Sequence, residues 1–203
     1  MGIFNTYLGK SEPLSLRTAL EKCVLSNNSE KSKAFIYKKF YGYVMAIVIR
    51  YMKHEMEAEE LANECFVKAF NKIPSFSLHE DEAVLEKTFK SWLARIAVNT
   101  SIDALRVRKQ MYMLDDLPSS DTLHYSVENA SSLEYEDMLS LIRQLPDIQR
   151  SIFNLYEIEG YSHEEIGKQL QIPESTSRTY LTRAKQKLRK LYASQIGLQN
   201  LQS

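Results

Sequence analysis

The stretch Tyr161–Tyr192, YSHEEIGKQLQIPESTSRTYLTRAKQKLRKLY, contains the signals of two helices joined by a tight turn. Ser162 is followed three residues later by Glu165, which is the spacing of a capping box at a helix start. Pro173 separates this helix from a second one, whose apolar positions are Leu181, Ala184, Leu188 and Leu191. Helices of about eight and fifteen or more residues with so short a connection are typical of a helix-turn-helix.

The second of these helices is strongly basic. It carries six Lys or Arg residues and no Asp or Glu between Thr176 and Tyr192. In a helix-turn-helix the first turns of such a helix enter the major groove, where Arg pairs with guanine and hydroxyl groups reach phosphates or base edges. A solvated basic helix end is the alternative, but the cap, the turn and the charge together favour DNA binding. The candidate DNA contacts are Thr176, Arg178, Thr179, Tyr180 and Arg183.

The rest of the chain is also expected to be helical, so the predicted fold class is all-α. Glycine and proline number only six and five in 203 residues, which leaves long helical stretches and few hairpin turns. Upstream of the helix-turn-helix, Leu133–Gln144 and a segment that starts at Asp147 have apolar residues at helical spacing. Residues 133–193 are therefore predicted to form a four-helix domain, followed by a tail over 194–203.

An earlier helical domain is predicted over residues 33–109. One of its helices has an acidic outer face and a single apolar stripe, which consists of Ala58, Leu61, Ala62, Cys65, Phe66 and Ala69. The neighbouring helices would close a core around Phe66 and Trp92. Between them, a surface loop with at most one short helix is predicted from Pro74 to about Lys87, where the acidic cluster Glu80–Glu82 interrupts the pattern. Residues 1–32 are predicted to be an N-terminal extension with a short helix, and the sequence does not indicate their role.

The two domains are predicted to be joined by an acidic linker over residues 110–132. The stretch from Gln110 to Ile142 contains seven acidic residues and no Lys or Arg. A polar, aperiodic segment of this kind buries too little apolar surface to fold alone, and fully extended it would span up to about 75 Å. We therefore expect two modules with separate cores, which can engage sites that lie well apart.

The sequence gives little support to other classes of function. No segment reaches the ~18 apolar residues of a membrane span, and Cys23 and Cys65 lie at apolar helical positions, as reduced core thiols of a cytoplasmic protein do. There is no metal-ligand spacing, phosphate-binding loop or nucleophile with a base partner, so no catalytic residue, metal or cofactor is predicted. Each histidine is predicted to lie at the surface, namely His54, His79, His124 and His163.

Both domains carry motifs of a known protein family. In the first domain these are AEELANECF at Ala58–Phe66 and WLARIAVN at Trp92–Asn99. In the second they are LPDIQR at Leu145–Arg150 and YSHEEI at Tyr161–Ile166, followed by the basic helix. With these motifs in this order, the chain resembles bacterial RNA polymerase sigma factors of the extracytoplasmic-function (ECF) type, in the sigma-70 superfamily, over about residues 33–192.

The resemblance implies a factor that binds RNA polymerase core and directs promoter-specific transcription initiation, with no cofactor and no active site of its own. The first domain would bind the clamp helices of the largest polymerase subunit through Glu60, Asn63 and Glu64. It would bind the minus-10 element through Asn99, Arg106, Arg108, Lys109 and the loop over Pro74–Lys87. The basic helix of the second domain would read minus-35 DNA. An anti-sigma protein is a further implied partner, and no membrane insertion is implied.

Three departures from the family pattern bear on these expectations. Asn63 stands where the family has Gln, Gly167 where a helix-turn-helix usually has Ala, and Ser177 where Val is common. Gly167 is expected to destabilise its helix by roughly 0.5 to 1 kcal/mol relative to Ala. None of the three removes a charge that the sigma-factor interpretation needs.

Three other interpretations are open at this point. A free-standing helix-turn-helix transcriptional regulator would bind its operator without polymerase, and the acidic-faced helix at Glu57–Phe70 speaks against it. A DNA-acting enzyme would show metal-dependent turnover, for which the sequence offers no metal-binding core. A purely structural helical adaptor would show no dependence on DNA.

Overall fold

The computed structural model describes residues 14–26, 29–114 and 133–199, and every regular element in these ranges is helical. The predicted all-α class is therefore confirmed. The α-helices are α1 (Leu16–Leu25), α2 (Glu30–Val48), α3 (Glu55–Lys72), α4 (Glu82–Leu114), α5 (Leu133–Arg143), α6 (Asp147–Phe153), α7 (His163–Leu170) and α8 (Glu174–Gln199). A 3₁₀ turn, Ile73–Ser75, follows α3, and a π-helical segment, Asn154–Ile158, follows α6.

Helices α1 to α4 form the first unit. All six residues of the apolar stripe predicted in α3 are buried. Phe40 of α2 and Phe89 of α4 are also fully buried, and their ring centroids lie 5.2 Å apart. Trp92 is only half-buried and packs against Phe76 and Phe89. The core therefore includes the predicted residues, but Phe89 rather than Trp92 lies at its centre.

The N-terminal extension contributes to this core. Helix α1 buries one side against α2 and α4, with Leu16, Ala19, Leu20 and Cys23 as its buried residues. Its start is capped by Ser15, whose hydroxyl accepts a hydrogen bond from the Thr18 amide (3.1 Å). Because burial of a single leucine contributes about 1.5 to 3 kcal/mol, α1 stabilises the first unit.

The surface loop is shorter than predicted. Helix α4 starts at Glu82, so between Ile73–Ser75 and α4 only residues 76–81 lack regular structure. The prediction of a loop with at most one short helix up to Lys87 is therefore wrong beyond Asp81, because residues 82–87 belong to the long helix α4. The Asp81 carboxylate accepts a hydrogen bond from the Val84 amide (2.9 Å) and so caps the new helix. Glu82 adds a second negative charge to the first turn, where the helix dipole favours it.

The predicted linker is only partly described. Helix α4 continues past its predicted end at Lys109 to Leu114. The continuation is favoured because good helix formers follow and no glycine or proline occurs before Pro118. Residues 115–132, with His124 among them, lie outside the described residues.

Helices α5 to α8 form the second unit, in which α7 and α8 are the predicted helix-turn-helix. The capping box is present, since the Ser162 amide donates to Glu165 Oε2 (2.8 Å) and the Glu165 amide donates to Ser162 Oγ (3.2 Å). Helix α7 ends at Leu170, and the next residue, Gln171, caps it in a left-handed conformation with φ 53°. The chain then turns through Pro173 into α8, as predicted.

The two units contact each other at the end of α2. The fully buried guanidinium of Arg150 donates to the Tyr51 carbonyl (2.9 Å). The Asn154 amide group donates to the Arg50 carbonyl (2.7 Å), and Arg50 pairs with Glu159 at 2.6 Å. Buried apolar side chains of both units join a single cluster, so the expectation of separate cores is not met in this conformation. The polar groups at the contact are typical of interfaces between domains that can move apart.

Candidate nucleic-acid and partner interfaces

The predicted DNA contacts lie in the first three turns of α8. Arg178, Thr179 and Arg183 are exposed, whereas Thr176 and Tyr180 are half-buried at the edges of this face. The Arg183 guanidinium lies 5.7 Å from the centroid of the Tyr180 ring, a cation-π distance that favours a defined direction for Arg183. Exposed Thr182 lies between Thr179 and Arg183 on the same face. It was not predicted, although its spacing of three from Thr179 placed it there.

Arg178 is paired within its own helix. Its Nη2 contacts Glu174 Oε1 one turn earlier, and the two side chains are 63% and 46% exposed. An ion pair as exposed as this one contributes less than about 1 kcal/mol. A guanine edge or a phosphate can therefore replace the carboxylate at little energetic expense.

His163 joins the two helices of the helix-turn-helix. It is only 8% exposed, so its predicted surface location is wrong. Its position in the first turn of α7 directs the ring toward α8, where Nδ1 lies 2.9 Å from Ser177 Oγ. The ring also stacks on Tyr156, with centroids 4.4 Å apart. Burial, followed by the positive charge of Arg178, lowers the pKa of His163, which is therefore neutral at pH 7. Ser177 is thus the buried partner of this histidine.

Gly167 is required by the close approach of α7 to the turn. A Cβ atom at this position would lie 2.9 Å from the carbonyl oxygen of Ile172. The Ile172 amide also donates to the Gly167 carbonyl (3.0 Å), so the two backbones are held together. The expectation that glycine only weakens this helix is therefore wrong, since alanine would clash with the backbone.

Three acidic or amide side chains share the outer face of α3. Glu60, Asn63 and Glu64 are all exposed and lie opposite the buried stripe. The Tyr37 hydroxyl of α2 donates to Asn63 Oδ1 (2.8 Å), and Lys68 pairs with Glu64 at 2.8 Å. The structure therefore brings together all three residues that the sequence predicted for this face.

Two exposed apolar residues extend the same face of α3. Met56 is 73% exposed and Val67 is 59% exposed. Met56 lies one turn before Glu60, and Val67 one turn after Asn63. Carboxylates bordered by exposed apolar side chains are typical of a protein-binding surface. Met56 and Val67 were not predicted, although their helical spacing could have indicated them.

The predicted minus-10 residues lie on α4. Asn99 is exposed, and Arg106 follows two turns later on the same side of the helix. Arg106 is half-buried and pairs with Asp103, with Nη1 3.3 Å from Oδ1. The side chains of Arg108 and Lys109 lie outside the described residues.

Arg17 of α1 holds the loop over residues 76–81. Its Nη2 donates to the His79 carbonyl (2.8 Å) and to the Glu80 carbonyl, and its Nε donates to Glu82 Oε1 (3.1 Å). A guanidinium that binds two successive carbonyls restricts the path of this loop. Arg17 was not predicted, because the contact joins residues 62 positions apart and has no local sequence signal.

The described ranges show neither a metal site nor a membrane span, and their two cysteines are buried. No group of His, Cys, Asp or Glu side chains there could hold a metal ion. In the same ranges, no helix combines the length and the apolar character needed to span a membrane. Cys23 and Cys65 are buried free thiols, as predicted, and burial raises the pKa of Cys65 to about 11, which disfavours the reactive thiolate.

Comparison with known proteins assigns a family to the chain. The model of Sigma-70 region 2 matches residues 36–110, and that of Sigma-70, region 4 matches residues 135–188. The chain is 31% identical over 159 residues to the ECF RNA polymerase sigma factor SigW of Bacillus subtilis, a match that covers 72% of this chain and 81% of SigW. The chain belongs to the ECF RNA polymerase sigma factors.

Other proteins are also similar to this sigma factor. The RNA polymerase sigma-H factor of Pseudomonas aeruginosa is 28% identical over 164 residues, which cover 75% of this chain and 81% of that protein. A solved structure of the sigma factor RpoE in complex with the anti-sigma factor NepR from Bartonella quintana aligns at 21% identity with a TM-score of 0.48, covering 80% of this chain and 98% of that chain. As a sigma factor, the chain serves in promoter recognition for RNA polymerase.

The matched regions of the sigma factor coincide with the two structural units. The region 2 match contains α3 and most of α2 and α4, and the region 4 match contains most of α5 to α8. Every predicted polymerase-binding or DNA-binding residue falls within one of these two matches. Helix α1, with Arg17, precedes both.

Proposed function

We propose that this ECF sigma factor binds core RNA polymerase and the minus-10 element with its region 2 unit, and minus-35 DNA with its region 4 unit. The observation that carries the proposal is the separation of charge between two exposed surfaces. The outer face of α3 is acidic, whereas from Thr176 to Tyr192 helix α8 is basic and has no acidic residue. An acidic helix is repelled by DNA and suits a basic protein surface, while a basic recognition helix suits DNA.

The polymerase contact is proposed at Glu60, Asn63 and Glu64, against the clamp helices of the largest subunit. All three side chains are exposed, and Met56 and Val67 supply apolar area around them. Charged residues at the edge of such an interface increase the association rate and select the partner, and the apolar residues contribute affinity.

The DNA contacts are proposed on two separate surfaces. Minus-35 DNA would be read in the major groove by Thr176, Arg178, Thr179, Tyr180 and Arg183. The minus-10 element would be bound by Asn99, Arg106, Arg108 and Lys109 together with the loop over residues 76–81. Each contact alone is weak and sensitive to salt. Polymerase would hold both units at a fixed separation, which converts the second contact into an effectively intramolecular one.

The proposal extends to location and further partners. The factor would act in the cytoplasm, where its polymerase is, with no cofactor and no catalytic activity of its own. An anti-sigma protein is a proposed partner on the ground of family membership. A free-standing regulator is not favoured, because it would have no use for the exposed acidic face of α3.

Transcription from defined promoters tests the minus-35 assignment. Arg178→Ala is expected to lower initiation at a promoter with the factor's minus-35 sequence by about 5- to 100-fold and to reduce discrimination against a mutated minus-35 element. Lys90→Ala is the matched control, because Lys90 also pairs with a glutamate four residues earlier in its helix, the half-buried Glu86 of α4. Equal activity of Arg178→Ala and the control would contradict the assignment.

Binding of core polymerase tests the other surface. Glu64→Lys is expected to weaken the affinity for purified core enzyme at least tenfold, since it places a cation against a basic surface. Glu30→Lys makes the same change of charge at the exposed start of α2 and should bind as the parent protein does. The assignment fails if both variants bind equally well.

A further inference from the structure

Asn63 is the only one of the three proposed polymerase contacts whose described side-chain partner lies on another helix. Its Oδ1 accepts a hydrogen bond from the Tyr37 hydroxyl of α2 (2.8 Å), although Asn63 itself is exposed. The Tyr37 ring is held in turn, because its centroid lies 5.1 Å from that of Tyr41 and 4.7 Å from that of Phe66. Phe66 is buried in the core, so the hydroxyl occupies a fixed position.

This bond holds the Asn63 amide against α2 and, in the observed orientation, uses its oxygen. With Oδ1 occupied by Tyr37, the Nδ2 group is left to point away from α2 with two hydrogen-bond donors. Glu60 and Glu64 on either side offer only acceptors when ionised. In the observed orientation the outer face of α3 therefore presents a donor between two acceptors. Because a tyrosine hydroxyl can accept as well as donate, the bond restrains the position of the amide in either orientation, whereas a free asparagine could turn away from α2.

We infer that Tyr37 is a positioning residue for polymerase binding, which holds the Asn63 side chain in place on the outer face of α3 before the polymerase is bound. The inference rests on the proposed function, since it deepens the assignment of Asn63 to the polymerase interface. In the observed orientation, the partner surface would place a carbonyl or carboxylate oxygen opposite the Asn63 amide, with basic groups opposite Glu60 and Glu64. Pre-orientation increases affinity because less side-chain freedom is lost on binding.

The test is the affinity of the full-length protein for purified core polymerase, in a double-mutant cycle. Tyr37→Phe removes one hydroxyl and is expected to weaken binding about three- to tenfold. Asn63→Ala should weaken binding at least as much, and Tyr37→Phe should then have no further effect in the Asn63→Ala background. Asn63→Asp retains the acceptor for Tyr37 but replaces the donor with a charge, so it should bind more weakly than Asn63→Ala.

Tyr41→Phe is the matched control, because Tyr41 shares the ring packing and none of the described hydrogen bonds involves its hydroxyl. It should bind core enzyme as the parent does, and urea unfolding of Tyr37→Phe should show that the variant is folded. The inference is overturned if Asn63→Ala weakens binding and Tyr37→Phe does not, or if the two effects simply add. If neither Asn63→Ala nor Glu64→Lys changes the affinity, the proposed polymerase surface itself is wrong.

Discussion

Arg50 and Glu159 form an ion pair of 2.6 Å across the contact between the two units, with side chains only 15% and 16% exposed. Burial of the Glu159 carboxylate outweighs the attraction of Arg50, so the pKa of Glu159 is raised above its ordinary value. The folded state therefore favours the protonated form of Glu159. The stability that this form contributes is fully present below the ordinary pKa of a glutamate, and it is lost as the pH rises through the raised pKa of Glu159. At neutral pH the ionised carboxylate destabilises the contact, and Arg50 offsets only part of this effect.

The two partners of this pair are expected to respond differently to substitution. Arg50→Ala leaves a buried carboxylate without its cation and should lower the free energy of unfolding at pH 7 by about 1 to 3 kcal/mol. Glu159→Gln removes the buried charge and should change it by less than about 1 kcal/mol in either direction. Urea unfolding measures both. Lys53→Ala is the control, since the Lys53–Asp147 pair lies in the same contact but is 32% exposed on each side. Equal losses for Arg50→Ala and Glu159→Gln would disprove this account.

The helix-turn-helix is expected to lose stability in mild acid because of His163. Because the pKa of His163 is lowered, the folded state favours the neutral ring. The stability that the neutral ring contributes is fully present above the ordinary histidine pKa of 6.5, and it is lost as the pH falls through the lowered pKa of His163. Amide hydrogen exchange in α7 should therefore become faster between pH 7.5 and pH 5.5, apart from the intrinsic change in exchange rate. His163→Asn should abolish this dependence, and His54→Asn, at a half-exposed position, should preserve it. If the exchange rate in α7 still depends on pH in His163→Asn, a titrating group other than His163 is responsible.

Replacing two helical glycines by alanine should change the stability of the protein in opposite directions. Gly167→Ala places a Cβ atom 2.9 Å from the Ile172 carbonyl and should destabilise the fold by about 1 to 3 kcal/mol. Gly42→Ala has no atom within 4 Å of the new Cβ and should stabilise α2 by about 0.5 to 1 kcal/mol. Thermal unfolding of the two variants checks the prediction, which is wrong if both shift the midpoint in the same direction.

Helix α1 is expected to be necessary for the stability of the first unit. Leu20→Ala removes a side chain that is 0% exposed and should lower the free energy of unfolding by about 2 to 5 kcal/mol. Leu25→Ala, in the same helix at 85% exposure, should change it by less than about 0.5 kcal/mol. Urea unfolding compares the two. A small effect of both substitutions would mean that α1 is dispensable.

Features with a local cause could be predicted from the sequence. The apolar stripe of α3 follows from residues three and four apart, and the capping box needs only Ser162 and Glu165. The start of α4 was missed although its signal is also local, because Asp81 was interpreted as part of an acidic loop rather than as a helix cap.

Features that depend on packing between distant segments could not be predicted. The Tyr37 hydroxyl of α2 contacts Asn63 of α3, and the Arg150 side chain contacts the Tyr51 carbonyl 99 residues away. The local sequence around Tyr37 or Arg150 does not indicate these partners. Gly167 shows the same limitation, because the carbonyl that excludes a side chain there becomes evident only once the turn has been folded. The candidate residues themselves were found through motifs, whereas the residues that orient them required the structure.

The contact around Arg150 has a consequence for the length of DNA that the protein can bridge. Elements about 25 base pairs apart are separated by about 85 Å along the duplex, whereas a compact chain of about 200 residues has a radius of gyration near 17 Å. The two units would therefore have to part before both elements could be occupied. Arg150 is suited to such a separation, because it also donates to the Leu145 carbonyl and to Asp147 within its own unit. The Tyr51 carbonyl would then exchange this donor for water, and the apolar side chains that the two units share would become exposed to solvent or to the polymerase.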